Sequence, residues 1–130
     1  MRLISCVPFA FLVAAPGTVP TPDWSHADQA EVTLSNFKFA PRSLHLKADR
    51  PVILHIVNTA SGGHNFTARA FFDTAAVRPT DAAMIHEGTV EVPEHQSVDI
   101  GLVPRAGQYP LKCTHSFHRI FGMKGEIIVG

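Results

Sequence analysis

The sequence predicts an all-β domain, a Greek-key sandwich of about seven or eight strands. Three observations carry that reading. Apolar residues recur in short runs, no stretch before Phe71 sustains a helical period, and turn-forming residues fill the gaps between runs. The segments expected as strands are 31–39, 43–46, 52–58, 66–70, 89–92, 97–102, 108–112 and 125–129.

Taken in order, 31–39 ends at Ala40-Pro41, and in 43–46 Leu44 and Leu46 alternate with Ser43 and His45, which puts both leucines on one face. Segment 52–58 runs from Arg50-Pro51 towards the turn Ser61-Gly62-Gly63, after which 66–70 is expected as the next strand. The longest stretch without alternation is 71–88 (FFDTAAVRPTDAAMIHEG), expected as a long loop with a short helix around 81–85 capped by Thr80 or Asp81. Pro93-Glu94-His95 divides 89–92 from 97–102, and Arg105-Ala106-Gly107 introduces 108–112. There Tyr109 and Leu111, with Cys113 just beyond, alternate onto a face expected to be core.

The N-terminus reads differently. Met1-Arg2 precedes the apolar run LISCVPFAFLVAA, which ends in small residues before Pro16-Gly17 and is too short to span a bilayer. It is expected to be a secretory signal peptide, residues 1–15, cut after Ala15 or as late as Ala27. Residues 16–29 are then a loose leader and 30–130 the folded domain, a size that can hold one small sandwich core. Removal of the signal takes Cys6 with it. Cys113 is left as a single thiol in an exported, oxidising setting, either a buried inert side chain or a thiolate held by a metal.

Composition narrows the function. Eleven Lys+Arg balance eleven Asp+Glu among 130 residues, so there is no basic excess to drive binding of nucleic acid or an anionic membrane. There is no Gly-x-Ser-x-Gly elbow, no phosphate-binding glycine loop and no second cysteine for dithiol chemistry in the mature chain.

Two clusters carry chemistry. The first is Cys113-Thr-His115-Ser-Phe-His118-Arg-Ile-Phe-Gly122-Met123-Lys-Gly125, which gathers a thiol, two imidazoles and a thioether between two expected strands. The second is Asn58-Thr-Ala-Ser-Gly-Gly-His64-Asn65-Phe66, a histidine closing a glycine-rich turn. A thiolate, imidazoles and a weak thioether suit copper, whereas hard cations want oxygen ligands and structural zinc wants four strong Cys or His donors at paired spacings. Asn65-Phe66-Thr67 is also a formal glycosylation sequon, but a glycan beside a buried ligand would obstruct the fold. The remaining histidines, His26, His45, His55, His86 and His95, have no motif context, and of these His86 and His95 are expected nearest a functional rim.

On these residues the sequence resembles the cupredoxins, the small blue-copper proteins of the plastocyanin and azurin type, from about Glu31 to Val129. His118-x-x-x-Gly122-Met123-x-Gly125 is similar to plastocyanin, the four-residue gap from Cys113 to His118 is similar to azurin, and the upstream Asn58 with His64-Asn65 matches the first half of the pattern. The resemblance implies one copper per chain, with His64, Cys113 and His118 in the metal plane, Met123 as the long axial ligand and Asn65 in support behind them. His115 departs from the pattern. It either points outward or joins or replaces His118, and the spacing to Met123 favours the first.

The resemblance further implies a one-electron carrier rather than an enzyme, periplasmic or secreted, monomeric, docking redox partners through an apolar patch near Phe117, Ile120 and Phe121. Those three side chains are equally suited to packing beneath the loop. The alternative is a copper storage, delivery or resistance protein on the same fold, with His115 contributing to a more exposed site.

Overall fold

The computed structural model describes residues 21–115 and 122–130. Ten strands form two five-stranded sheets: β1 (Asp28–Ser35), β2 (Lys38–Ala40), β3 (Ser43–Leu46), β4 (Val52–Asn58), β5 (His64–Thr67), β6 (Ala76–Val77), β7 (Thr89–Val92), β8 (Ser97–Val103), β9 (Gly107–Lys112) and β10 (Lys124–Val129). One sheet has the order β2-β1-β4-β8-β6 and the other β3-β10-β9-β5-β7, so the chain crosses repeatedly between layers. The expected β-sandwich is what forms, with two strands more than the sequence suggests.

The core lies between the sheets. Val32 and Leu34 of β1, Leu54 and Ile56 of β4, and Ile100 and Leu102 of β8 face Phe66, Val90, Leu111 and Ile127 from the other layer, all essentially without solvent exposure. Period-2 alternation places them there: β1 and β7 bury every second residue over their cores, and Leu44, Leu46 and Leu111 point inward as their spacing predicts. Phe66 is the aromatic hub, edge-on to Phe39 at 6.2 Å and Phe72 at 5.8 Å.

Four expectations need correction. The segment 31–39 is two strands, because Asn36-Phe37 makes a tight turn with Phe37 at φ 61°. A phenylalanine rarely takes a left-handed backbone, and no glycine marks the break, so nothing local announces it. The strand expected at 66–70 is instead β5 at 64–67, followed by helix α1 (Arg69–Thr74), which buries Phe71 and Phe72. The helix expected around 81–85 is a single 3-10 turn, Ala82–Met84, and neither Thr80 nor Asp81 caps it by a side-chain bond. The strand β1 begins at Asp28, within the stretch expected as a leader, and Trp24 just before it belongs to a 3-10 turn.

Asp81 is turned inward because it has stronger partners there. Its Oδ2 accepts from the Gly101 backbone N–H at 2.8 Å and from Arg78 Nε at 2.7 Å, while Arg78 N–H donates to the Gly101 carbonyl at 2.7 Å. The Arg78 side chain lies across Gly101, where a Cβ would come within 2.8 Å of Nε, and its guanidinium stands 5.5 Å from the Trp24 ring centroid. Segment 78–81 and Trp24 are thus clasped onto β8. Asp81→Ala leaves a buried N–H and a half-buried guanidinium without their acceptor, so it should lower the free energy of unfolding by about 2–3 kcal/mol, measurable as a reduced urea midpoint at unchanged slope.

Candidate metal centre

The sandwich brings the two chemistry-bearing clusters to one end. β4 ends at Asn58, β5 begins at His64 opposite Val92 at the end of β7, and β9 delivers Cys113 one residue beyond its last member, Lys112. The latch is Asn58. Its buried Nδ2 donates to the carbonyls of Gly62 (2.9 Å), Val92 (3.0 Å) and Pro93 (3.2 Å), and its Oδ1 accepts from Ala60 N–H at 2.9 Å. One amide side chain thus bonds at once to the turn at 60–62 and to residues 92–93, and fixes the loop that presents His64.

His64 and Cys113 meet, with Nδ1 of the imidazole 4.0 Å from Sγ. Met123 lies alongside, its carbonyl accepting from Cys113 N–H at 3.1 Å, and it follows Gly122, whose φ of 73° turns the chain into β10. All three side chains are buried, none more than 1% exposed. Asn65 ties the two clusters together. Its backbone N–H donates to Cys113 Sγ at 3.4 Å, its Oδ1 accepts from Thr114 N–H at 2.9 Å, and its Nδ2 donates to Thr114 Oγ1 at 2.7 Å. With Asn65 this enclosed, the sequon at 65–67 is not available to a glycan.

The sequence-derived set is therefore placed as follows. His64, Cys113 and Asn65 converge, and Met123, also buried, is joined to Cys113 through its backbone carbonyl; His118, together with Phe117, Ile120 and Phe121, lies outside the described residues. His115 Nε2 stands 3.1 Å from Glu91 Oε2, with over a third of its side chain exposed. His95 lies in the 93–96 loop, whose Gln96 carbonyl accepts from Asn58 N–H at this same end, whereas His86 pairs with Thr89 at the opposite end of β7. His55 is held by Asp99 and Gln29, and His26 by Asp23, on the outer surface. Sequence reasoning missed Glu91 and Thr114. The signal for Glu91 is the pairing of Asn65 with it across β5 and β7, and for Thr114 the pairing of β5 with β9, registers that no local pattern encodes.

The donor chemistry fits copper. Among the described residues no three Cys, His, Asp or Glu side chains gather as a metal cage, so no hard-cation site is built from carboxylates here. What is gathered is a thiol, an imidazole and a thioether-bearing residue, the softness that selects copper.

Burial pushes the Cys113 thiol above its ordinary value of 9.0, opposed by backbone N–H groups of Asn65 and His115 and reinforced by the negative charge of Glu91. The thiol is thus neutral in the folded apo protein at neutral pH. This has two consequences for pH dependence. A folded pKa raised above the unfolded one stabilises the fold fully below pH 9.0, so apo stability should fall as pH climbs through the window above 9.0, where only the unfolded chain readily ionises. Copper held by the Cys113 thiolate would have to displace that proton, so apparent copper affinity would then rise about tenfold per pH unit below that window, checked by competition with a chelator from pH 6 to 8, roughly.

These features define a cupredoxin, and comparison bears that out. The family model described as a cupredoxin-like domain matches residues 4–129, and the chain belongs to that family. Copper, one ion per chain, is the cofactor that membership brings. Among solved structures, auracyanin B is 23% identical over 87% of this chain and 93% of its own, with a TM-score of 0.59. Auracyanin from the photosynthetic bacterium Roseiflexus castenholzii is 17% identical over 80% of this chain and 98% of its own, at 0.58. The chain is also similar to part of the McoA multicopper oxidase from the hyperthermophile Aquifex aeolicus, at 15% identity and a TM-score of 0.61, covering 88% of this chain but 32% of the oxidase. At these identities the likeness is one of fold. No curated protein sequence matches the chain.

Proposed function

We propose that the protein is a mononuclear copper carrier of single electrons, with His64, Cys113 and His118 as strong ligands and Met123 as a weak axial one. The observation that supports this most is the approach of His64 Nδ1 to Cys113 Sγ at 4.0 Å, on two loops tied together by Asn65. Bound copper supplies a one-electron couple. The chain's own contribution is a set of buried side chains, a backbone N–H already directed at the sulfur, and loops fixed on paired strands, so that little need move when charge changes. His118 enters on the sequence pattern alone.

With four protein donors there is no open position for a substrate, so the reading is not enzymatic. The carrier is exported after loss of residues 1–15 and acts in the periplasm or outside the cell, as a monomer. Phe117, Ile120 and Phe121 serve as a small apolar patch for transient partners. Among the described residues no helix is long and apolar enough to cross a membrane.

One observation favours a second reading, copper storage or delivery. His115 is partly exposed beside the ligand loop and offers a further imidazole at the surface. The test is Cu(II) titration of the mature domain, followed by cycles of reduction and reoxidation. An intense visible band that saturates at one equivalent, bleaches on reduction and returns on oxidation is the expected result. Absence of the band with rapid transfer of Cu(I) to an acceptor identifies storage or delivery, and a chain that binds no copper overturns both readings.

A further inference from the structure

Glu91 belongs to no ligand motif, yet it stands at the junction of everything that holds the site. It lies on β7 directly opposite Asn65 of β5. Its two carboxylate oxygens take different partners. Oε1 accepts from Asn65 Nδ2 at 2.9 Å, and Oε2 lies 3.1 Å from His115 Nε2. Asn65 and Thr114 are bonded to each other twice, so the chain of contacts runs from β7 through Glu91 to β5, on to the residue after Cys113, and back through His115 to Glu91. The His115 ring closes over the glycine turn as well: a Cβ on Gly63 would lie 3.6 Å from its Cε1. One carboxylate therefore spans both ligand-bearing loops.

We propose that Glu91 is a positioning residue of the copper centre that also sets its electron affinity: it fixes the His64 and Cys113 loops relative to each other, and its negative charge favours the oxidised over the reduced metal. The proposal rests on the copper reading of the site. The charge argument is elementary. An anion near the site stabilises the state of higher positive charge, and Glu91 is joined to the sulfur through one residue, Asn65, whose Nδ2 donates to the carboxylate and whose backbone N–H donates to Cys113 Sγ. Glu91 is more than half exposed, so the effect is screened and depends on ionic strength.

The experiment compares copper-loaded wild type, Glu91→Gln and Glu91→Ala as full mature chains. The readouts are reduction potential at low and high salt, the visible band, melting temperature of the apo protein, and rate of copper loss to a chelator. Glutamine keeps the shape and an acceptor for Asn65 but removes the charge. Glu91→Gln should keep the band and the apo melting temperature while its potential moves to more positive values, the shift shrinking at high salt. A purely architectural residue would leave the potential of this variant alone. Glu91→Ala should show the same positive shift and lose copper about tenfold faster or more. A Glu91→Gln potential equal to wild type at low salt, or a Glu91→Ala release rate equal to wild type, overturns the proposal while the coloured wild type keeps the copper reading intact. A wild type that binds no copper overturns that reading and this proposal together.

Discussion

Cys113→Ser is expected to abolish the intense visible band of the copper-loaded protein while the apo domain still folds. The band requires a thiolate donor, and a serine hydroxyl stays protonated and is a poor copper ligand at any pH where the fold survives. The apo fold should tolerate the change because the new oxygen finds a partner in place: Asn65 N–H already donates to Sγ at 3.4 Å. The cost is that of placing a hydroxyl at a fully buried core position, about 1–2 kcal/mol, visible as a lower urea midpoint. A Ser variant that keeps the band, or that binds Cu(II) as tightly as wild type, would remove Cys113 from the ligand set.

Phe66→Ala is expected to be the most damaging single core change. Its side chain is wholly buried, touches Phe39 and Phe72 edge-on, and lies on the short strand that also carries His64 and Asn65. Truncating a buried phenylalanine costs about 3–5 kcal/mol, a large share of the roughly 5–15 kcal/mol that holds a domain of this size together. The expected result is a much reduced urea midpoint at unchanged slope. Copper retention should fall with it, since the cavity opens directly beneath the residue that ties the two loops together. Phe66→Leu should recover part of both losses. If Phe66→Ala unfolded at the wild-type midpoint, the core would have to be organised around some other residue.

The fold and the approach of the His64 and Cys113 segments are legible in the sequence for one physical reason: both are written in short-range spacing. Alternation in 43–46 and 108–113 puts Leu44, Leu46, Leu111 and Cys113 inside, and turn residues cut the chain close to where it turns. The features that stay hidden depend on tertiary context. Phe37 takes a left-handed backbone without a glycine to signal it, and α1 forms where Phe71 and Phe72 can be buried together although the local pattern is not helical over a useful length. Asp81 reads as a cap because it precedes a helical turn, but a buried backbone N–H on β8 outcompetes the cap. Asn58 is visible only as part of a motif, and its four hydrogen bonds give the physical reason for it. Glu91 is invisible, since its importance comes from a strand pairing across 26 residues.

The insertion of β10 between β3 and β9 has a consequence for time rather than for geometry. Among the described residues β3 pairs in its sheet with β10 alone, and the contact between Ser43 and Glu126 joins residues 83 positions apart. Both β1 against β4 and β4 against β8 are likewise distant pairings. Such a chain must close long loops before it gains from doing so, and folding should fall in the slow regime of milliseconds to seconds, roughly. His64 and Cys113, 49 residues apart, are brought together by the same closures. The meeting of these two side chains is then a late product of folding, since neither can reach the other until those loops have closed.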